Sequence, residues 1–389
     1  MGSLGLLLAF ICLGSLIWLH VRGFKDGAFA DPILFLTGVS LISYVFVRWD
    51  RAKVPTLVMV CGLILGFATT LIPMPLSVEQ RAIEAFNQGV DAMNRDDCGQ
   101  AIARFSEAIR LNPELVEAYC NRGIVYYDKG EPDKAIADFN EAIRLAPECA
   151  ETFYKRSIVY CNKGESDKAI TDLTEAIRLD PECAEAYYNR GFVHDKKGEP
   201  DKAIADYTKA IRLNQNDAKA YHNRGLVYDA KGELDKAIAD FTEAIRLAPE
   251  CAKTFYNRGF VYCDKGESDK AIADLTEAIR LDPECAEAYY NRGVAYDDKG
   301  ESNKAITDYT KAIRQDPNFV EAYNNRGLAY GRDKGKPKKA IADFTEAIQL
   351  NPKDAEAYYN RGVAYEEKGD QAKAEADFAR AKELGCEPE

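Results

Sequence analysis

The sequence predicts an all-α protein in which three transmembrane helices precede a solenoid of nine helix-turn-helix units. The solenoid is predicted by a pattern that recurs every 34 residues, and once after 35, from about Ala82 to the C-terminus. The membrane helices are predicted by three nearly uncharged apolar stretches in residues 1–76. One small residue marks the same place in each repeat: Gly89, Gly123, Ser157, Gly191, Gly225, Gly259, Gly293, Gly327 and Gly362.

Residues 1–76 form the predicted membrane domain. Its spans are residues 4–21, 33–47 and 54–72, which contain 18, 15 and 19 residues. A spanning helix needs roughly 20 apolar residues, and Arg48 with Trp49 extends the short middle span to the interface. A cleaved signal peptide is the alternative for the first span, but the segment 1–3 has no basic residue. We expect three spans and then a short linker at 77–81.

Two features give opposite predictions for the side of the membrane that carries the repeats. The basic residues of the second loop are Arg48, Arg51 and Lys53, and those of the first loop are Arg22 and Lys25. The positive-inside rule therefore places the repeats outside. However, nine of the eleven cysteines lie in the repeats, and this odd number of packing thiols favours a reducing compartment. We expect an integral protein of a bacterial cytoplasmic membrane, with its repeats on the cytoplasmic side.

Each repeat contains two helices, A and B, joined by a turn, as the unit 286–319 illustrates. Helix A carries an aromatic residue, a glycine and a tyrosine at helical spacing, here Tyr289, Gly293 and Tyr296. The segment 297–301 interrupts this spacing and predicts the turn. Helix B carries alanine, an aromatic residue, alanine and a closing proline, here Ala305, Tyr309, Ala312 and Pro317.

This pattern resembles the tetratricopeptide repeat, and the resemblance covers residues 82–388. It implies a right-handed solenoid that binds other proteins. Departures from the family pattern are local: Ser157 replaces one glycine, His194 one tyrosine and Gln215 one proline. A single unit cannot bury its own apolar face, so neighbouring units must stack. The predicted units are residues 82–115, 116–149, 150–183, 184–217, 218–251, 252–285, 286–319, 320–354 and 355–388.

The composition argues against catalysis, metal binding and nucleic-acid binding. The chain has three dispersed histidines: His20, His194 and His222. Neither Cys161 nor Cys263 has a second ligand close in sequence. The net charge of -12 divides into +2 for residues 1–76, with five Lys and Arg against three Asp, and therefore -14 for the remainder, which repels nucleic acid. We predict that the protein is not an enzyme and uses neither a metal nor a cofactor.

A ladder of asparagines lies two residues before the marker glycine. It resembles the ladder in the repeat domain of O-linked N-acetylglucosamine transferase, where the amides pair with the backbone of an extended peptide. A carboxamide offers both a donor and an acceptor to a peptide unit. The alternative is that these amides only tie adjacent A helices together. The predicted peptide-binding residues are Asn121, Asn189, Asn223, Asn257, Asn291, Asn325 and Asn360, with Tyr188, Tyr256 and Tyr290 beside them.

A second ladder pairs an arginine of helix A with an aspartate of helix B in eight repeats. The arginines are Arg122, Arg156, Arg190, Arg224, Arg258, Arg292, Arg326 and Arg361, and the aspartates are Asp138, Asp172, Asp206, Asp240, Asp274, Asp308, Asp343 and Asp377. The first repeat lacks both, because Gln88 and Arg104 stand in their places. This joint loss favours a structural ion pair between the helices over a ligand site.

The resemblance also allows a test for one familiar partner, the acidic tail of heat-shock chaperones. Asn121 and Lys155 match two places of the carboxylate clamp that holds such tails, but Phe86, Val90 and Glu151 occupy the other three. We therefore predict that this clamp is absent.

The sequence thus favours a membrane-anchored scaffold that binds a partner protein or an extended peptide in its concave groove. Two alternatives remain open. One is a regulatory subunit of a membrane-bound enzyme or envelope-assembly complex, and the other is a substrate-targeting arm for a separate glycosyltransferase.

Overall fold

The computed structural model describes residues 76–332 and 336–386, which contain eighteen α-helices and no strand. Odd-numbered helices are the A helices of successive repeats, and even-numbered helices are the B helices. In chain order they are α1 (Val78–Asn94), α2 (Cys98–Leu111), α3 (Val116–Asp128), α4 (Pro132–Leu145), α5 (Ala150–Asn162), α6 (Ser166–Leu179), α7 (Ala184–Lys196), α8 (Pro200–Leu213), α9 (Ala218–Ala230), α10 (Leu234–Leu247), α11 (Ala252–Asp264), α12 (Ser268–Leu281), α13 (Ala286–Asp298), α14 (Ser302–Gln315), α15 (Val320–Arg332), α16 (Pro337–Leu350), α17 (Ala355–Glu367) and α18 (Gln371–Glu383).

The start of the repeat array differs from the sequence expectation. Residues 78–81, assigned to the linker, belong to α1, because buried Ala82 and Ala85 continue one helical face back from Gly89. The predicted spans at 4–21, 33–47 and 54–72 lie outside the described residues. Within the described ranges, none of the helices combines the length and the apolar character that a membrane crossing requires.

A close approach between the two helices of each repeat explains the marker glycine. A Cβ at Gly225 would lie 2.8 Å from the Phe241 ring, and one at Gly293 would lie 2.6 Å from Tyr309. These distances are shorter than carbon atoms tolerate, so a side chain would push helix A from helix B. The third repeat accommodates Ser157, whose hydroxyl donates a hydrogen bond to the carbonyl oxygen of Tyr154 at 2.6 Å.

The turn between helices A and B depends on a second glycine. Gly130, Gly232 and Gly266 have φ angles of 75°, 75° and 70°, in the left-handed region that glycine adopts without steric cost. These residues lie in the segments that the sequence identified as interhelical turns.

Stacking of the repeats places the A helices on the inner face of the solenoid. Neighbouring A helices contact each other along most of the array, whereas the described B helices contact mainly A helices. The aromatic residue of helix B fills the space between two repeats: Phe241 packs with Val261 of the next A helix. Residues on the exposed face of the A helices therefore share one continuous surface.

The predicted arginine–aspartate pairs are confirmed in all eight repeats, and each arginine also contacts a third helix. In the sixth repeat, Nε and Nη2 of Arg258 in α11 donate to the Asp274 carboxylate in α12 at 2.7 and 2.8 Å. Its Nη1 donates to the Thr242 hydroxyl in α10, at 2.9 Å. The Thr242 hydroxyl in turn donates to the Ile238 carbonyl oxygen. We call this three-helix arrangement the arginine bridge.

Every arginine bridge includes a polar side chain at one equivalent position of the preceding repeat. The sequence analysis missed this partner. The eight partners are Ser106, Asn140, Thr174, Thr208, Thr242, Thr276, Thr310 and Thr345. A short polar side chain recurs at this position in eight B helices, and this recurrence was the available signal.

The charged side chains of the arginine bridge are largely buried. The Arg258 and Asp274 side chains are only 16% and 10% exposed. Burial lowers the pKa of the Arg258 guanidinium, but the hydrogen bonds and the charge of Asp274 outweigh that effect and raise the pKa above its ordinary value. The arginine therefore stays charged and depends on its carboxylate partner.

We expect Arg258→Leu to lower the free energy of unfolding by about 3–5 kcal/mol, because it leaves the buried Asp274 carboxylate unpaired. The double change Arg258→Leu with Asp274→Leu should cost much less, since neither charge then remains buried alone. Urea denaturation of the four proteins of this double-mutant cycle measures the coupling.

Arg104→Leu is the matched control, because within the described ranges Arg104 forms an ion pair only with Glu107 of its own helix and is 43% exposed. It should change stability by less than about 1 kcal/mol. Additive effects at Arg258 and Asp274 would contradict the interpretation of the pair as a mutually dependent unit.

Candidate functional site

The predicted peptide-binding residues lie on the A helices, half-buried at the inner face. Each asparagine of the ladder precedes the buried marker glycine by two residues, and each tyrosine precedes it by three. The structure thus aligns all ten predicted side chains: Asn121, Asn189, Asn223, Asn257, Asn291, Asn325, Asn360, Tyr188, Tyr256 and Tyr290.

Four asparagines donate a hydrogen bond to a tyrosine of the preceding repeat. The Nδ2 atom of Asn223 donates to the Tyr188 hydroxyl at 2.9 Å. The equivalent distances are 2.9 Å for Asn189 and Tyr154, 3.1 Å for Asn291 and Tyr256, and 3.0 Å for Asn325 and Tyr290. The amides therefore do tie adjacent A helices together at these positions.

This tie does not use up the hydrogen-bonding capacity of the amide. An asparagine has two N–H donors and an oxygen that accepts twice, and the tyrosine takes a single donor. Within the described ranges, no other side-chain hydrogen bond is made by Asn189, Asn291 or Asn325. The tyrosine orients the amide, while the carboxamide oxygen stays available to a ligand. The predicted binding role stays a prediction.

In the described part of the chain, three members of the ladder lack this tie: Asn121, Asn257 and, at the far end, Asn360. Asn121 follows the first repeat, which has Phe86 at the tyrosine position, and Asn257 follows the fifth repeat, which has His222 there. Considering the described residues alone, the side chains of Asn121 and Asn257 make no hydrogen bond. The His222 ring instead bonds the Thr254 hydroxyl at 2.9 Å. Burial, and then the charge of Lys253, lowers the pKa of His222, so this ring is neutral at pH 7.

The far end of the ladder is also irregular. Asn324 occupies the tyrosine position of the eighth repeat, and its Nδ2 atom donates to Asp354 at 2.8 Å. Within residues 76–332 and 336–386, the buried Oδ1 atom of Asn324 and the buried Nδ2 atom of Asn360 have no partner. The four tied asparagines lie in the fourth, fifth, seventh and eighth repeats.

The tyrosine rings are held by the helices behind them. The Tyr188 ring lies 5.7 Å from the Tyr207 ring of α8, and the Tyr290 ring lies 5.9 Å from the Tyr309 ring of α14. Burial raises the pKa of the Tyr188 and Tyr290 hydroxyls, which therefore remain protonated at neutral pH. Each ring thus packs against helix B of its own repeat, while its hydroxyl accepts a hydrogen bond from the asparagine of the next repeat.

A row of exposed apolar side chains runs beside the asparagine ladder, and the sequence analysis missed it. Phe192, Leu226 and Phe260 each follow a marker glycine directly and are 39%, 37% and 38% exposed. They lie on the consecutive A helices α7, α9 and α11. We call these three residues the apolar stripe. In the sequence, an apolar residue follows the marker residue of every repeat. Helical periodicity alone did not show that these residues are exposed.

The thiols on the A helices have the properties of packing residues. Burial, followed by the charges of Asp298 and Asp264, raises the pKa of Cys263 to about 11, so the thiol is protonated at neutral pH. Cys161, its counterpart in the third repeat, also has a pKa raised by burial. The described part of the chain contains no group of three His, Cys, Asp or Glu side chains that could hold a metal ion.

Several solved structures resemble part of this chain. YrrB, described as a TPR protein with an unusual peptide-binding site, is 28% identical, with a TM-score of 0.44 over 48% of this chain and 95% of YrrB. MamA is 33% identical, with a TM-score of 0.41 over 42% of this chain and 96% of MamA. A tetratricopeptide repeat protein from Parabacteroides merdae ATCC 43184 is 21% identical, with a TM-score of 0.47 over 64% of this chain and 99% of that protein. No curated protein matches the chain.

Family models match nearly the whole repeat array. Models described as TPR repeat match residues 95–130, 158–198, 259–300 and 331–369. Models described as tetratricopeptide repeat match residues 116–149, 184–217, 218–251, 286–319, 308–342 and 355–384. Together they span 95–384 with gaps only at 150–157 and 252–258. The chain belongs to the tetratricopeptide repeat family.

Proposed function

We propose that this protein is a membrane-anchored, non-enzymatic scaffold that binds an extended segment of a partner protein along the inner face of its A helices. The observation that supports this most is the alignment of half-buried amides with the apolar stripe in the central repeats. Amides pair with any peptide backbone, and apolar side chains select among sequences.

Preorganisation strengthens this proposal. Tyr154 and Tyr188 hold the amides of Asn189 and Asn223 in fixed orientations before any ligand arrives. Binding then costs less side-chain entropy than it would with free amides, for which each immobilised side chain costs about 0.5–1.5 kcal/mol. A segment that lies across several A helices would meet one such amide in each repeat.

The membrane part of the proposal rests on the three apolar stretches at 4–21, 33–47 and 54–72. In this proposal the repeats lie on the cytoplasmic side, because the nine half-buried free thiols of the repeats favour a reducing compartment.

The full chain should remain in the membrane pellet after alkaline carbonate extraction and should be released by detergent, because spanning helices are held by apolar burial. Immunoblotting of the fractions measures this. Release by carbonate alone would contradict the membrane anchor.

A photocrosslinking amino acid at Leu226 in the full chain, in its host cells, should capture a discrete partner. Adding Asn257→Ala should lower the crosslinking yield by about two- to tenfold, since one amide contact contributes about 0.5–1.5 kcal/mol. The melting temperature should not change, because Asn257 ties no tyrosine. Asn223→Ala should lower both the yield and the melting temperature, because it also removes the bond to Tyr188.

The control position is Leu350, an apolar residue with similar exposure at the end of the B helix α16. Crosslinking from Leu350 at the same yield, or an unchanged yield with Asn257→Ala, would contradict groove binding. Mass spectrometry of the captured protein decides between a free scaffold and the alternative of a regulatory or substrate-targeting subunit, which predicts a membrane enzyme or envelope-assembly component.

A further inference from the structure

The spacing of the apolar stripe restricts the ligand that can follow it. Phe192, Leu226 and Phe260 occupy equivalent places on three neighbouring A helices. Packed helices lie about 8–10 Å apart, and an extended polyproline II chain rises about 3.1 Å per residue. About three residues of such a chain therefore span one repeat. Because polyproline II has three residues per turn, every third side chain points to the same face.

Carboxylates lie along one edge of the stripe. Asp195, Asp229 and Asp264 fall in the last turns of α7, α9 and α11. Among the residues that the structure describes, Asp229 and Asp264 have no arginine or lysine within ion-pair distance. Other carboxylates of the repeats do have a basic partner, as the Lys231 contact with Asp201 at 2.5 Å illustrates.

These carboxylates lie at the C-terminal ends of their helices, where the helix dipole makes a negative charge unfavourable. The C-terminal end of a helix carries partial negative charge and is stabilised by basic side chains. The first seven B helices follow this rule, although α16 does not. The even-numbered helices from α2 to α14 each have an arginine in the last turn: Arg110, Arg144, Arg178, Arg212, Arg246, Arg280 and Arg314. The A helices α9 and α11 have no basic residue there. Their Asp229 and Asp264 thus add charge to an end that is already negative.

The two carboxylates also repel each other. Burial, and then the charge of Asp264, raises the pKa of Asp229 above its ordinary value. A cationic side chain placed between Asp229 and Asp264 would relieve this repulsion and satisfy both helix ends. The surface is therefore complementary to positive charge next to the apolar stripe.

The lysines of this face lie away from Asp229 and Asp264. Lys219 and Lys253 lie in the first turns of α9 and α11, at the opposite ends of these helices. The Lys196 ammonium lies over the Phe192 ring, 5.4 Å from its centroid. The acidic edge is consequently centred on Asp229 and Asp264 rather than on Asp195.

We propose that the segment bound by this groove is a cationic peptide in the polyproline II conformation, with an apolar residue at every third position and lysine or arginine between them. The proposal rests on the proposed function and narrows it to one class of ligand. Apolar residues contact Phe192, Leu226 and Phe260, while the cations reach the carboxylates of Asp229 and Asp264.

Two fluorescein-labelled probe peptides test this on the purified full chain. One repeats Leu-Lys-Pro four times, and the other repeats Leu-Glu-Pro four times, so that only the sign of the charge differs. By fluorescence anisotropy, the lysine peptide should bind at least about tenfold more tightly, and this preference should weaken as salt is added.

Variants assign the effect to the named residues. Asp229→Asn with Asp264→Asn should reduce the preference for the lysine peptide to less than about threefold, whereas Glu182→Gln with Glu284→Gln, an equal charge change at exposed turn residues, should leave it intact. Phe192→Ala with Leu226→Ala and Phe260→Ala should weaken binding of the lysine peptide by at least about tenfold. Leu350→Ala should not. Thermal unfolding checks that each variant is folded.

Absence of binding by the lysine peptide, equal binding of both peptides, or an equal loss in the control variants would overturn the proposed ligand class. Those results would not decide whether the groove binds a partner, which crosslinking from Leu226 tests separately. Failure of that crosslinking would instead remove the groove as the binding surface.

Discussion

The arginine bridge is the interaction on which the rest of the repeat array depends. A guanidinium has five N–H donors in a fixed plane, and Arg258 uses three of its nitrogens to join α10, α11 and α12. The same geometry recurs in eight repeats, so each A helix is fixed both to its own B helix and to the B helix before it. Repeat proteins gain stability from contacts between neighbours, and here the bond from Arg258 to the exposed Thr242 hydroxyl joins one repeat to the next.

The register of neighbouring repeats creates the proposed binding face. Because the bridge fixes the rotation of each A helix, the residues around the marker glycine fall on one surface in every repeat. The same constraint brings Asn223 to the Tyr188 hydroxyl and leaves Leu226 exposed between its counterparts on either side. The structural role and the proposed binding role therefore share one ladder, in which four of the amides each donate one hydrogen bond to a tyrosine. The acidic ends of α9 and α11 are electrostatically unfavourable, because each places a carboxylate at the negative end of a helix.

Most of the fold followed from the sequence because its period equals that of the structural unit. The nine helical pairs and the pairing of Arg258 with Asp274 were predicted, the latter because Gln88 and Arg104 replace both partners together. Contacts between repeats were harder to predict. The Thr242 partner of Arg258 and the bond between Asn223 and Tyr188 depend on the rotation of one repeat against the next, which periodicity does not define. Exposure of the apolar stripe was missed for the same reason, since an apolar residue beside a buried glycine resembles a core position.

The central claim is that one arginine couples two consecutive repeats, and amide hydrogen exchange of Arg258→Leu in the full chain measures this most directly. The bridge predicts faster exchange in α10 of the fifth repeat as well as in α11 and α12 of the sixth, because the Thr242 contact is lost together with the Asp274 pair. Repeats further along the array should keep their protection. Faster exchange confined to α11 and α12, with α10 unchanged, would contradict the account.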